Sequence, residues 1–226
     1  MPARISLLQS AHSRRAKIGA ILVVIALLTG CGRSAPNADD AADMIGPADI
    51  HFQDDAVTNA SPGDGLINLQ FVDQSGKTIR PKDLIGTKNL VLVFTRGYNG
   101  GICPYCSSYT SSLISNYPAI SERSTEVLVV YPITKPDQSQ HLNDFLKATF
   151  LRTGEGVSKT PFPVVLDIEL KAVNALGIRQ DPSKPATYIL DKKGQVRFAY
   201  VGKFLSDRPS VKAILKQLDV LKEEPG

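Results

Sequence analysis

Leu90-Val91-Leu92-Val93-Phe94 and, after a short loop, Gly100-Gly101-Ile102-Cys103-Pro104-Tyr105-Cys106 decide the fold of this chain. The first run is apolar throughout and reads as a buried strand. The residues after the second, Ser107 to Tyr117, form a polar but plausible helix, so the two cysteines fall on a strand–loop–helix junction. A cysteine at a helix N-terminus has its thiolate favoured by free backbone N–H groups and by the positive end of the helix dipole. Pro104 suits the first helical position, where a missing N–H costs nothing. Cys103 and Cys106 are one helical turn apart, which puts their side chains on one face and within disulfide reach.

Two structural roles compete with a redox one. A structural disulfide between these residues closes too small a ring to add much stability. A closed zinc site needs about four ligands. Beyond the pair the chain offers Cys31, His12, His51 and His141, with no ligand spacing among them. The expectation is a redox-active dithiol, with no metal and no cofactor.

Working outward, the N-terminal segment 1–30 reads as an export signal. Arg4, Arg14, Arg15 and Lys17 precede an apolar run, Ile18 to Leu28, too short for a comfortable bilayer span. It ends in Leu28-Thr29-Gly30-Cys31, which resembles the lipobox of bacterial lipoproteins. The resemblance implies lipidation at Cys31, whose several acyl chains would anchor the protein to a membrane of the cell envelope, facing the periplasm or extracellular side. The competing reading is a plain signal peptide with an incidental free cysteine. The chain carries a formal charge of +4, but its four leading cations stand before Cys31 without an acid, so the remainder is formally neutral. The charge gives no support to nucleic-acid binding.

Residues 31–64 are rich in Ala, Asp, Asn, Pro and Ser without a sustained period, and are expected to be a flexible tether. Residues 65–226 are expected to be one folded domain. Leu66 to Val72 alternates as a half-buried strand, and Asp73-Gln74-Ser75-Gly76 is a turn. Val127 to Tyr131 is a second central strand, Ser139 to Leu151 a helix, and Pro163 to Asp167 a short extended run. Leu170 to Leu176 is a further helix stopped by Gly177. Thr187 to Asp191 and Val196 to Val201 make a hairpin, and Pro209 to Leu221 is a closing amphipathic helix. Strands alternating with helices predict an α/β fold, a central mixed β-sheet flanked by helices.

In this order the elements resemble the thioredoxin superfamily, and within it the peroxiredoxin-like redoxin branch. The resemblance runs from Leu66 to Leu221. It rests on the turn at Asp73 to Lys77, Phe94 with Arg96-Gly97, Cys103-Pro104-Tyr105-Cys106, Pro163 to Gly177, and Lys184-Pro185-Ala186-Thr187. It implies a thioredoxin-like fold in which Pro185 is cis and faces the cysteine pair, with Ala186 and Thr187 offering backbone to an extended substrate segment. An ordinary loop proline after Asp181-Pro182 is the alternative. Arg96, Pro104 and Tyr105 are the other residues expected to meet a substrate. His141 is expected to be a surface histidine.

The chain departs from the peroxiredoxin pattern Pro-x-x-x-Thr-x-x-Cys, carrying Arg96 and Gly100 at the Pro and Thr positions, and Pro185 where an arginine precedes the late strand. Those groups donate hydrogen bonds during O–O cleavage. The primary expectation is therefore a thiol–disulfide oxidoreductase, with Cys103 as the low-pKa nucleophile and Cys106 as the resolving thiol. Its partners would be protein thiols or disulfides, or small thiols. The alternative is a thiol peroxidase taking hydroperoxides, with Cys103 peroxidatic. A redox-inert binding protein on the same fold is the third reading.

Overall fold

A computed structural model describes residues 50–63 and 65–223. The export segment, Cys31 and the first part of the expected tether lie outside the described residues. In chain order the strands and helices are β1 (Phe71–Val72), β2 (Thr78–Ile79), β3 (Asn89–Phe94), α1 (Pro104–Ser115), α2 (Tyr117–Ser121) and β4 (Thr125–Ile133), followed by α3 (His141–Thr153), β5 (Val164–Ile168), α4 (Lys171–Ala175), β6 (Ala186–Leu190), β7 (Val196–Val201) and α5 (Val211–Glu223).

The strands form one seven-stranded sheet in the order β2-β1-β5-β4-β3-β6-β7. β3, β4 and β5 run parallel, as crossover connections require. β6 and β7 form an antiparallel hairpin on one side, and β1 and β2 another on the far side. β3 is buried at every residue, which follows from its central place between β4 and β6 with both faces covered. Its alternation splits the core. Val91 and Val93 join Tyr109 and Leu113 of α1, Leu142 and Phe145 of α3, and Ile214 and Leu218 of α5. Leu90, Leu92 and Phe94 face Ala172 and Val173 of α4 together with Leu66 and Phe71.

The expected elements exist, with shifted ends. The strand expected over Leu66 to Val72 is reduced to Phe71–Val72, because Leu66–Asn68 turns as a single 3-10 turn that drives Leu66 into the core. α1 opens on Pro104, as the proline's fit to the first helical position predicts, and ends at Ser115, two residues before Tyr117. α4 is only five residues long and depends on Asp167, whose buried carboxylate accepts the N–H groups of Ala172 and Val173, both at 2.9 Å. That is side-chain capping delivered from the preceding strand.

One boundary is corrected. From Ile50 onward the expected tether is packed against the domain. Ile50 and Ala56 are buried, and Phe52 lies edge-on to Tyr109 with ring centroids 4.9 Å apart. The Gln53 N–H donates to the Arg208 carbonyl at 2.8 Å, and the Gln53 carbonyl accepts from the Ser210 N–H at 2.7 Å. Asn59 brackets β7 through its side chain, donating to the Val201 carbonyl and accepting the Val201 N–H. Polar composition suggested a free linker, but paired backbone and a few apolar anchors outweigh it.

Candidate active site

Cys103 is the N-cap of α1, in extended conformation, and its sulfur accepts the Cys106 N–H at 3.3 Å. Its carbonyl also receives the N–H groups of Cys106 and Ser107, each at 3.1 Å. Pro104 takes the first helical position, as expected. Cys106 sits one turn in, and its sulfur collects two further donors, the Arg96 backbone N–H at 3.3 Å and Arg208 Nη2 at 3.1 Å. The two thiols are free, and both are buried. Ile102, Pro104 and Tyr105 are half-buried and form the rim beside them.

The electrostatics place the lowered pKa on Cys106 rather than on Cys103, where it was expected. Burial by itself would push the Cys106 thiol up. The hydrogen bond from Cys103, the Arg208 charge and the Arg96 N–H outweigh that and lower it to about 6. Cys103 is pushed up, first by its hydrogen bond to Cys106, then by burial and by the Cys106 charge. One proton is thus shared by the pair, and it rests on Cys103. A guanidinium aimed at the deeper sulfur outweighs the helix terminus that favours Cys103.

Arg208 is the residue that sequence reasoning missed. It lies in the loop before α5, and it is 1% exposed. Its Nε donates to the Leu205 carbonyl at 2.8 Å, its guanidinium stands 5.3 Å from the centre of the Tyr109 ring, and Nη1 has no hydrogen-bond partner. Tyr109 in turn pairs with the Thr187 hydroxyl at 3.5 Å, and burial pushes its phenol up to about 12. Tyr131 on β4 is a second buried group around the pair. Its hydroxyl is unpartnered, and burial followed by the charges of Cys106 and Cys103 raises its pKa. In sequence, Asp207-Arg208-Pro209 is an ordinary charged loop with no spacing that ties it to the cysteines.

The remaining expected site residues fall as follows. Arg96 contributes through its backbone, while its side chain donates from Nε to the Asp181 carbonyl at 3.0 Å and braces the loop before β6. The only cis bond among the described residues is Asp181–Pro182, so Lys184–Pro185 is trans, and the expectation for Pro185 is corrected. Pro185 is buried, and its carbonyl accepts the Gly202 N–H at 2.8 Å. Ala186 and Thr187 do not offer free backbone, because β6 is an interior strand paired with β3 on one side and β7 on the other. His141 is half-buried and stacked on Tyr98 of the cysteine loop, with centroids 3.7 Å apart. No group of three or more His, Cys, Asp or Glu that could hold a metal occurs among the described residues.

The loop geometry rests on Gly97. Its φ is +81°, and a Cβ there would lie 2.1 Å from the Pro132 carbonyl oxygen. The next residue, Tyr98, donates its N–H to that same oxygen at 3.0 Å. Only glycine allows this approach, which holds the cysteine loop against β4.

The AhpC/TSA family model matches residues 62–199. No curated protein matches the chain. Among solved structures, it is similar to peroxiredoxin Q of Xanthomonas campestris at 15% identity and a TM-score of 0.51, over 74% of this chain and 99% of that one. Peroxidoxin BcpB of Mycobacterium tuberculosis is similar at 19% identity and a TM-score of 0.54, over 73% and 97%. A peroxiredoxin 6 variant of Arenicola marina gives 13% and 0.59, over 73% and 74%. These identities speak to the fold alone. The family match spans more than half of the chain and contains both cysteines, whereas Arg208 lies beyond it. This chain belongs to the AhpC/TSA family, a peroxiredoxin-like member of the thioredoxin superfamily and a thiol-based redox protein.

Proposed function

We propose that the protein is a thiol–disulfide oxidoreductase working through a Cys103–Cys106 dithiol/disulfide. The observation that carries this is the cysteine pair at the start of α1, one turn apart, with Arg208 Nη2 donating to the Cys106 sulfur at 3.1 Å. Cys103 lies nearer the half-exposed rim and is the sulfur that meets a partner; Cys106 is the sulfur that closes or opens the internal bond. To reduce a partner disulfide, Cys103 passes its proton to Cys106 and attacks one partner sulfur. The other partner sulfur leaves with the electron pair. Cys106 then loses its proton and attacks Cys103, releasing the second partner sulfur as a thiolate. The reverse sequence oxidises a partner dithiol. Replacing Cys103 with Ser should abolish turnover of a protein or small-molecule disulfide; retained turnover would overturn the assignment.

Thiol peroxidase activity is the second reading, favoured by the two unpartnered buried donors, Arg208 Nη1 and the Tyr131 hydroxyl. They are candidates to bind a peroxide oxygen in place of the missing threonine and arginine. The rate at which hydrogen peroxide consumes both thiols separates the readings. A rate far above that of a free thiol supports peroxidase action, and an ordinary rate leaves disulfide exchange.

The lipobox-like Leu28 to Cys31 supports an envelope location with a lipid anchor. Incorporation of labelled fatty acid should be lost on Cys31→Ser.

A further inference from the structure

Arg208 is a buried cation whose one side-chain hydrogen-bond partner is the Cys106 sulfur. Three observations define the position. The guanidinium is buried, at 1% exposure. Its contacts are the Leu205 carbonyl, the Tyr109 ring and the Cys106 sulfur, with Nη1 unpartnered. The adjacent carboxylate, Asp207, is turned away from it, accepting from the Tyr200 hydroxyl, the Gln53 side-chain amide and the Lys203 N–H. Among the described residues Arg208 forms no carboxylate salt bridge. The Gln53 N–H bonded to its carbonyl fixes its backbone in place.

We infer that Arg208 is a buried counter-ion for Cys106 that stabilises the dithiol form, so that the Cys103–Cys106 disulfide is a strong oxidant of partner thiols. The inference rests on the exchange reading above and adds its direction. A guanidinium stays charged in a protein. In the dithiol form the Cys106 thiolate neutralises it at 3.1 Å. In the disulfide form neither sulfur carries charge, and a buried cation is left without an anion, which is costly. The cost falls on the disulfide, and a couple whose reduced form is favoured has a higher potential.

A partner thiolate attacks Cys103 Sγ, the internal S–S bond breaks, and Cys106 leaves with the electron pair as a thiolate facing Arg208. A second partner thiolate attacks the partner sulfur of the mixed disulfide, and Cys103 leaves and takes a proton. Two thiols are oxidised to one disulfide, the protein gains two electrons and one proton, and one proton goes to solvent. A hydroperoxide or a more oxidising disulfide returns the protein to its starting state. A low-pKa leaving sulfur also speeds the first step.

The test is redox equilibration of the full chain in detergent against oxidised and reduced glutathione, reading the peptide that carries both cysteines by mass spectrometry. Arg208→Met should shift the equilibrium at least tenfold toward the disulfide at pH 7.5, a change of about 30 mV. Arg208→Lys, which keeps the charge, should shift it less. The shift should collapse at pH 5, where Cys106 is protonated in the dithiol. The groups around Cys106 that could confuse this readout are Cys103 and Tyr109 on α1, Tyr131 on β4 and Arg208 itself. The two phenols remain protonated throughout this range.

The wild-type protein supplies a readout that does not depend on a variant folding. Its equilibrium constant against glutathione should be independent of pH below about 6 and shift tenfold per pH unit toward the dithiol above it, because exchange with two glutathione thiols then releases one proton. An unchanged constant in Arg208→Met, with a wild-type constant that stays independent of pH up to pH 8, overturns the inference and leaves the exchange reading standing. Failure of either protein to form the Cys103–Cys106 disulfide in any buffer overturns the exchange reading itself.

Discussion

At the scale of single residues, the polarity of the cysteine pair is set by competition between a helix terminus and a buried cation. Free N–H groups and the helix dipole act on both sulfurs, since both lie within the first turn of α1. Arg208 and the Arg96 N–H act on Cys106 directly, and they decide the outcome. A consequence appears in the pH dependence of stability. Cys106 is lowered in the folded state from an ordinary 9.0 to about 6, so it contributes stability that is fully present above 9 and lost as the pH falls through 6. Cys103 is raised, so its contribution is present below 9 and lost as the pH rises beyond that value. The stability of reduced protein relative to oxidised protein should therefore rise from pH 6 to a maximum near 9 and fall beyond it. Urea midpoints of the two forms across that range measure it. The thiolate absorbance that titrates near 6 should survive Cys103→Ser and vanish in Cys106→Ser; the opposite result would restore Cys103 as the resting thiolate.

At the scale of elements, β3, the loop after it and α1 form one unit whose shape depends on Gly97. Gly97→Ala would force a Cβ to within 2.1 Å of the Pro132 oxygen at a φ of +81°, so the loop would have to leave β4. We expect a loss of at least about 2 kcal/mol, or about 4–8 °C of Tm, with a rise in the Cys106 pKa as the Arg96 N–H moves away. Thermal melts and thiolate titration of the variant check both effects, and a melt unchanged from wild type would show that the approach to Pro132 is dispensable. This unit was legible in the sequence because each of its signals is local: an apolar run, glycines, and a proline at a helix start. The paired hairpins and the central strands were legible for the same reason. The placement of Arg208 was not, because nothing within a few residues of it points to a cysteine more than a hundred positions earlier. Pro185 was misjudged through analogy. The thioredoxin-fold resemblance implied a cis proline directly before β6, but the cis bond stands at Pro182, in the loop that Arg96 braces.

At the scale of the whole molecule, the segment from Ile50 to Asn59 closes the side of the domain that carries Arg208. Gln53 brackets Arg208 and Ser210 with two backbone hydrogen bonds, and Phe52 meets the ring over which the guanidinium stands. Asp54 reaches the Ser210 hydroxyl at 2.6 Å and Lys212 at 2.9 Å, at the start of α5. Such a strap looks like linker in a sequence, because its stabilising contacts are long-range backbone pairings that leave little compositional trace. Its removal should act on the cysteines without touching them. A chain beginning at residue 65 keeps every residue of the expected domain but loses the bracket on Arg208, whereas a chain beginning at residue 48 keeps it. The shorter chain should have a higher Cys106 pKa, since a guanidinium free to move to water no longer neutralises the thiolate, and its buried thiols should react with an alkylating reagent at least tenfold faster at pH 7.5. Both differences are read by alkylation rates across pH on folded protein, with the longer chain as reference. Equal rates would mean that α5 and the 202–209 loop hold Arg208 unaided, and that the strap contributes stability alone.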